Sequence, residues 1–449
     1  MKVLLVSAST LTCPYPVYPL GLDYVRQAIS ANHQVEIADM NLYKDDLALK
    51  AVIDGYQPDI IGLSLRNIDN TDFTDSKSFT GQYVHLTNVI RGCSEAPIVL
   101  GGSGFTIFAR ELMNILKADY GIIGEGERFS LLLEALEKQN DLSGIPGLLI
   151  GDSKKTIPDP WDRAFPRVFN PDSRHLDFYL KNGGILNIQT KRGCLFRCVY
   201  CTYPHIEGKK LRLVPPHEVA ETALQFQNAG AKYFFVTDSA FNVDYAHSIQ
   251  VAEAFQKFGV SIPWGAFFAP TKPPEDYYKI LADSGLTHVE FGTESLCDRV
   301  LVNYRKPFKK VDIFQAHQKA VDAGLYVAHY FLMGGPGETY DSVGETLSNI
   351  DKLNKTVLFL FCGMRIYPYT ALYEIAVKEG GIKKSQDLLE PVFYRCSTID
   401  LDQIVDLIIK KAESRPNWLI GSGGDQTGQT LAKMYDRGFS GLLWEFLIR

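Results

Sequence analysis

Three cysteines crowd into the stretch Lys191-Arg192-Gly193-Cys194-Leu195-Phe196-Arg197-Cys198-Val199-Tyr200-Cys201, with the spacing C-x3-C-x2-C. A structural zinc site normally closes with four ligands, and beside this triplet only His205 offers itself as a fourth. The same three thiolates on a four-iron cubane leave one iron without a protein ligand, and Arg192 and Arg197 stand close enough in sequence to offset thiolate and sulfide charge. A vacant iron position implies a reactive centre that binds a substrate or cofactor.

Other chemistry-bearing residues recur where apolar runs end. Asp238 and Asn242 follow the run Tyr233 to Val236, Glu294 and Ser295 follow His288 to Gly292, Gly334, Gly335 and Gly337 follow Val327 to Met333, and Arg365 and Tyr367 close Leu358 to Arg365. With Ile185 to Ile188 and Ile262 to Phe268 these make six strand candidates alternating with helix-period segments, the pattern of a parallel sheet whose ligands collect at the strand carboxyl ends. Each motif alone is also an ordinary strand-to-helix turn, since Gly, Asp and Ser are turn formers. Their ordered repetition favours a common site. Tyr203, His205, Tyr330 and Tyr367 lie in or beside these segments and are candidates for a substrate cavity.

Upstream, Val3 to Val6, Val35 to Ala38, Ile60 to Leu65, Ile98 to Leu100 and Tyr120 to Ile123 alternate with helix-period stretches and predict a five-strand doubly wound α/β domain over residues 1–145. Small and polar residues end its strands: Ser64, Arg66 and Asn67, then Gly101 and Gly102, then Gly124 and Glu125. Residues 146–180, with Pro158-Asp159-Pro160, read as a linker, 181–380 as a partial (β/α)6 barrel, and 381–449 as a small, mostly helical region to which no chemistry is assigned.

Composition bounds the partners. The chain has 449 residues, 46% apolar and 22% charged, which predicts a folded protein of two or three domains. Its 46 Lys+Arg against 52 Asp+Glu give a net charge of -6, so no whole-chain basic field exists to gather nucleic acid. Eight cysteines are too sparse for a disulfide scaffold, the apolar start is too short for a signal-peptide core, and no run is long enough to span a bilayer. A cytoplasmic protein without a membrane partner is expected.

The cysteine triplet, with aromatic Tyr200 just before its last member, resembles the signature of the radical S-adenosylmethionine (SAM) superfamily. The resemblance implies a [4Fe-4S] cluster held by Cys194, Cys198 and Cys201. It also implies SAM on the free iron, contacted by Tyr200, Asp238, Asn242, Glu294, Ser295, Gly334, Gly335, Gly337, Arg365 and Tyr367. A doubly wound domain ahead of such a barrel is similar to the cobalamin-binding subgroup, which implies cobalamin against Ser64, Arg66, Asn67, Gly101, Gly102, Gly124 and Glu125. The D-x-H-x-x-G motif of many cobalamin domains is missing: the loop after the first strand reads Ser7-Ala8-Ser9-Thr10-Leu11-Thr12-Cys13, and the first histidine of the chain is His33. Arg66, which has no lone pair to donate to cobalt, is expected either at the cobalamin lower face or paired with Asp69 or Asp72 at a surface turn. The implied function is C-methylation of a small-molecule or peptide substrate, with an electron donor such as flavodoxin or ferredoxin. Cyclisation or rearrangement with the same cofactors, and a cobalamin-free enzyme with a vestigial first domain, are the alternatives.

Overall fold

The computed structural model describes residues 1–43, 45–151, 156–421 and 423–448. In the first half, β1 (Lys2–Ser7), β2 (Gln34–Asp39), β3 (Ile60–Ser64), β4 (Ile98–Gly101) and β5 (Tyr120–Ile122) form a parallel sheet in the order β2-β1-β3-β4-β5. Continuous burial along Val3 to Ser7 and Ile60 to Leu63 reflects helices packed on both faces, which is why these strands read as unbroken apolar runs. The sheet has one more strand than the sequence predicts. β6 (Leu148–Ile150) pairs antiparallel with β5, and its three residues are too few to show a period.

The second half opens with β7 (Ile185–Ile188), followed by a two-stranded ribbon of β8 (Lys191–Arg192) and β9 (Arg212–Leu213). β10 (Tyr233–Val236), β11 (Trp264–Phe268), β12 (Leu286–Glu294), β13 (Tyr326–Met333) and β14 (Thr356–Cys362) follow, each preceded by helix. Here too a strand is added: β15 (Trp418–Ile420), from the region read as helical, pairs parallel with β14. The result is a seven-stranded parallel sheet in the order β15-β14-β13-β12-β11-β10-β7. Alternate side chains divide between its faces. Leu186, Phe234, Val236, Trp264, Phe268 and Phe291 pack under the helices, whereas Ile185, Tyr233, Phe235, Ala328 and Val357 face inward against Leu442 and Trp444 of the carboxyl-terminal segment.

The halves are joined by a continuous core in which Leu63, Leu65, Phe105 and Phe108 belong with Leu360, Met364 and Ile366. Buried ion pairs cross the same joint. Arg365 Nε donates to Asp69 at 2.8 Å, and Arg192 reaches Glu125 at 3.0 Å and Glu127 at 2.6 Å. Residues 156–175 contribute Arg167, whose guanidinium lies 2.6 Å from Asp23 and donates to the Asn187 carbonyl, tying β7 to the helix Leu20–Ala28. Among the described residues no helix is long and apolar enough to cross a membrane.

Candidate active site

The cysteine loop leaves the carboxyl end of β7 through the β8–β9 ribbon. Gly193 turns it with φ +92°, where a Cβ would strike the Lys210 carbonyl, so this position admits only glycine. Cys194 is buried and Cys198 and Cys201 half-buried. Burial pushes the Cys198 thiol up and the Cys201 thiol to about 12, with the neighbouring thiols adding to both. Three thiols crowded in this way suit a polynuclear cation, which would displace their protons and pair with the thiolates. Among the described residues no three His, Cys, Asp or Glu groups converge on a single-ion site. His205, the candidate fourth zinc ligand, instead sets its ring 6.0 Å from that of Tyr369.

Beside the thiols stands a residue the sequence reading missed. Lys306 Nζ donates to Glu294 Oε1 at 3.1 Å and to Tyr200 Oη at 3.3 Å, and its charge acts on the Cys198 thiol. Tyr200 Oη in turn donates to Glu294 at 2.6 Å. Burial opposes the lysine's charge, but Glu294 and the two thiols more than offset it and hold Lys306 protonated. Glu294 adopts φ 63°, a left-handed conformation that costs a non-glycine residue energy and persists only where its surroundings enforce it. Nothing in Arg305-Lys306-Pro307 marks it locally, because its partners lie on two other segments.

Of the other strand-end residues expected to meet SAM, most have their polar atoms engaged within the protein. Asp238 accepts from the Thr190 amide at 2.9 Å and pairs with buried Lys191 at 2.7 Å. Asn242 exchanges two hydrogen bonds with the Ala269 backbone, and Ser295 bonds Thr346 and the Cys297 amide. The Gly334 and Gly335 amides donate to buried Glu338, and a Cβ at Gly335 or Gly337 would strike Tyr304 or Asn303. Arg365 is spent on Asp69 and on the Ile366 and Leu388 carbonyls. Asp238, Asn242, Ser295 and Arg365 are buried at the strand ends and hydrogen-bonded within the protein.

A cavity of about 690 Å³ opens where the carboxyl ends of the two sheets face each other. Ser64, Arg66, Asn67, Gly101, Gly102, Gly124 and Glu125 all border it on the first sheet's side, and Gln189, Thr202, Tyr203, Thr237, Phe267 and Tyr367 on the other. No histidine is among the described residues lining it. Glu125 is also the hub of an ion cluster, accepting from Arg192, Arg212 and the Trp161 amide. Arg66 resolves differently from its surface-turn alternative. Asp69 is taken by Arg365 and Tyr367, Asp72 accepts from Thr74, and Arg66 bonds only the adjacent Asn67 at 3.3 Å, forming no ion pair among the described residues. Tyr179, Tyr15, Tyr83 and Tyr203 surround it, and burial lowers its pKa.

The comparisons with known proteins agree with this geometry. Residues 6–133 match the B12 binding domain and residues 188–350 the Radical SAM superfamily. The chain is a radical SAM protein with an N-terminal B12-binding domain. This radical SAM protein is 23% identical to the tryptophan 2-C-methyltransferase of Streptomyces laurentii over 80% of its own length and 72% of that protein. It is 27% identical to an uncharacterised methyltransferase of Pyrococcus horikoshii over 84% and 83% of the two chains. Its fold superposes on the radical SAM methyltransferase TsrM of Kitasatospora setae, solved with tryptophan and aza-SAM, with a TM-score of 0.89 at 20% identity, covering 99% of this chain and 97% of that one. The same neighbour with cobalamin and a [4Fe-4S] cluster gives 0.88 at 21% identity, with the same coverage of both chains.

For a radical SAM protein of this kind the cofactors are a [4Fe-4S] cluster, SAM and cobalamin. The residues present fit them. Three thiols with a buried ammonium beside them suit the cluster, and a cavity bordered by Gly21 in the first turn of a helix and Gly101 at a strand end, neither with a neighbour closer than 4.0 Å to an added Cβ, admits a bulky ring close to backbone. Deeper on the inner face, Trp444 Nε1 and Tyr330 Oη each donate to buried Glu290 at 2.9 Å. Burial pushes the Glu290 carboxyl up to about 7, the two hydrogen bonds only partly countering it. Tyr330 stacks on Phe359 with centroids 4.6 Å apart and meets Phe267 edge-on at 6.2 Å, so Trp444 connects to the cavity wall through Glu290, Tyr330 and Phe267.

Proposed function

We propose that this radical SAM protein is a cobalamin-dependent methyltransferase that methylates a carbon of a small or medium-sized organic substrate. The observation that carries this reading is the single cavity with both strand-end rims in its wall, Ser64 and Arg66 on one side, Thr202 and Tyr203 directly after Cys201 on the other. Bound there, cluster and SAM supply hydrogen abstraction from an unactivated carbon, and cobalamin supplies a carrier for a methyl group. Cys194, Cys198 and Cys201 would hold the cluster, and Lys306 would offset their charge. Tyr200 and Glu294, hydrogen-bonded to each other beside the thiols, would help to receive SAM. Arg66 would stand against cobalamin without supplying a metal ligand, since a guanidinium has no lone pair to donate. Tyr203, Phe267 and Tyr367 wall the space between and keep water from the reacting carbon.

Its reductant is a low-potential carrier of the flavodoxin or ferredoxin class, and its compartment the reducing cytoplasm, in which clustered thiols survive. The test is anaerobic incubation of the reconstituted protein with cobalamin, reductant, SAM labelled at its methyl group and candidate substrates. Label in a product C–methyl group supports the reading. Deoxyadenosine formed with an altered but unlabelled product points instead to cyclisation or rearrangement.

A further inference from the structure

We propose that the surface outside the cysteine loop, built from Leu195, Arg197, Val302 and Arg305, is the docking site of an acidic one-electron carrier protein. This rests on the cluster assignment above and adds the face through which the electron arrives. Two segments run side by side here: the Val199 amide donates to the Tyr304 carbonyl at 3.1 Å, and Lys306 reaches back to Tyr200. Each segment exposes one apolar and one basic side chain. Leu195 is 53% and Val302 69% exposed, and Arg197 and Arg305 are exposed beside them. Neither arginine has an ion-pair partner among the described residues, in a chain whose net charge is -6.

The charge is local and concentrated. Residues 299–310 hold five Lys and Arg and no acidic residue. Of these, Lys306 turns inward to Glu294 and Lys310 pairs with Glu345, which leaves Arg299, Arg305 and Lys309 exposed, with Arg299 donating to Thr339. Arg305 also has φ 57°, a left-handed backbone that an arginine adopts only under constraint. A small apolar centre with unpaired cations around it, with Arg197 next to Cys198 along the chain, matches a transient interface with an acidic partner. Docking there, the carrier loses one electron and the cluster gains one. No bond forms or breaks and no proton moves.

The experiment follows cluster reduction in the full-length reconstituted protein by loss of its visible absorbance, with reduced flavodoxin as one donor and dithionite as the other. In Val302→Glu/Arg305→Glu the flavodoxin rate at low salt falls at least about tenfold, the parent's advantage shrinks as salt screens it, and the dithionite rate stays at the parent value. Both side chains are exposed, and Arg305→Gly, which relieves the positive φ, supplies a second variant with a smaller fall in the same direction. A flavodoxin rate equal to the parent's, or an equal fall with dithionite, overturns the docking site. A parent protein that takes up no cluster overturns the functional reading as well, and shows itself before any donor is added.

Discussion

Lys306 and Glu294 concentrate two opposing demands on a few atoms: charge beside the thiols, and burial that penalises charge. The pair survives because each satisfies the other, with Tyr200 as a third member. Removing one partner strands the other, so Lys306→Met should cost about 3–5 kcal/mol, read as a lower thermal midpoint of the cluster-free protein. Adding Glu294→Gln should recover most of that loss, whereas a purely packing role for the lysine stem would leave the double variant as unstable as the single. Arg66 makes the second residue-scale prediction. Replacing it with Ala should change the absorption spectrum of bound cobalamin and lower turnover. An unchanged spectrum with unchanged turnover would remove Arg66 from the lower face.

At the scale of elements, the carboxyl-terminal segment does more than cover the sheet. Trp444 packs among Ile185, Tyr233 and Val357 near the amino ends of their strands, so the inner face is closed at that end and open at the other. The closure isolates Glu290. Its carboxyl ionises about 7 in the folded chain against an ordinary 4.5, so between those values the native state holds a proton the unfolded state has released. The sign follows: stability is greatest below that window, falls as pH rises through it, by up to about 3 kcal/mol, and is flat above. Urea midpoints of the cofactor-free protein at pH 5, 6, 7 and 8 measure this slope, and Glu290→Gln should flatten it. A slope unchanged in Glu290→Gln places its origin elsewhere.

The whole molecule is organised around a joint that is also its cavity. Arg365 bridges Asp69 on one side to the Leu388 carbonyl on the other, and Tyr367, which lines the cavity, donates to the same Asp69. Neutralising that carboxylate leaves a buried guanidinium short of its counter-charge, so Asp69→Asn should both destabilise the protein by about 3 kcal/mol and loosen the wall that Tyr367 supplies. Less cobalamin should therefore remain after gel filtration of the reconstituted variant, while iron per chain stays near the parent value. Equal loss of iron would mean that the joint supports the cluster loop too.

What the amino-acid sequence determined by itself was local. The C-x3-C-x2-C spacing confines three ligands to one loop, the unbroken apolar runs demand sheets buried on both faces, and the ends of those runs mark where a ligand collects. Each of these depends on neighbours along the chain. Strands β6 and β15 escaped because three residues carry no period, and their pairing is decided by partners far off in sequence. Lys306 and Trp444 escaped because what makes them matter, a thiol on a distant loop and a carboxylate on a distant strand, appears only when the chain is folded. Tertiary structure alone decided which charges are spent and which are left over: Asp69 went to Arg365, so Arg66 was left to the cavity. A buried ion takes the partner that geometry brings within reach, and sequence distance does not set that geometry.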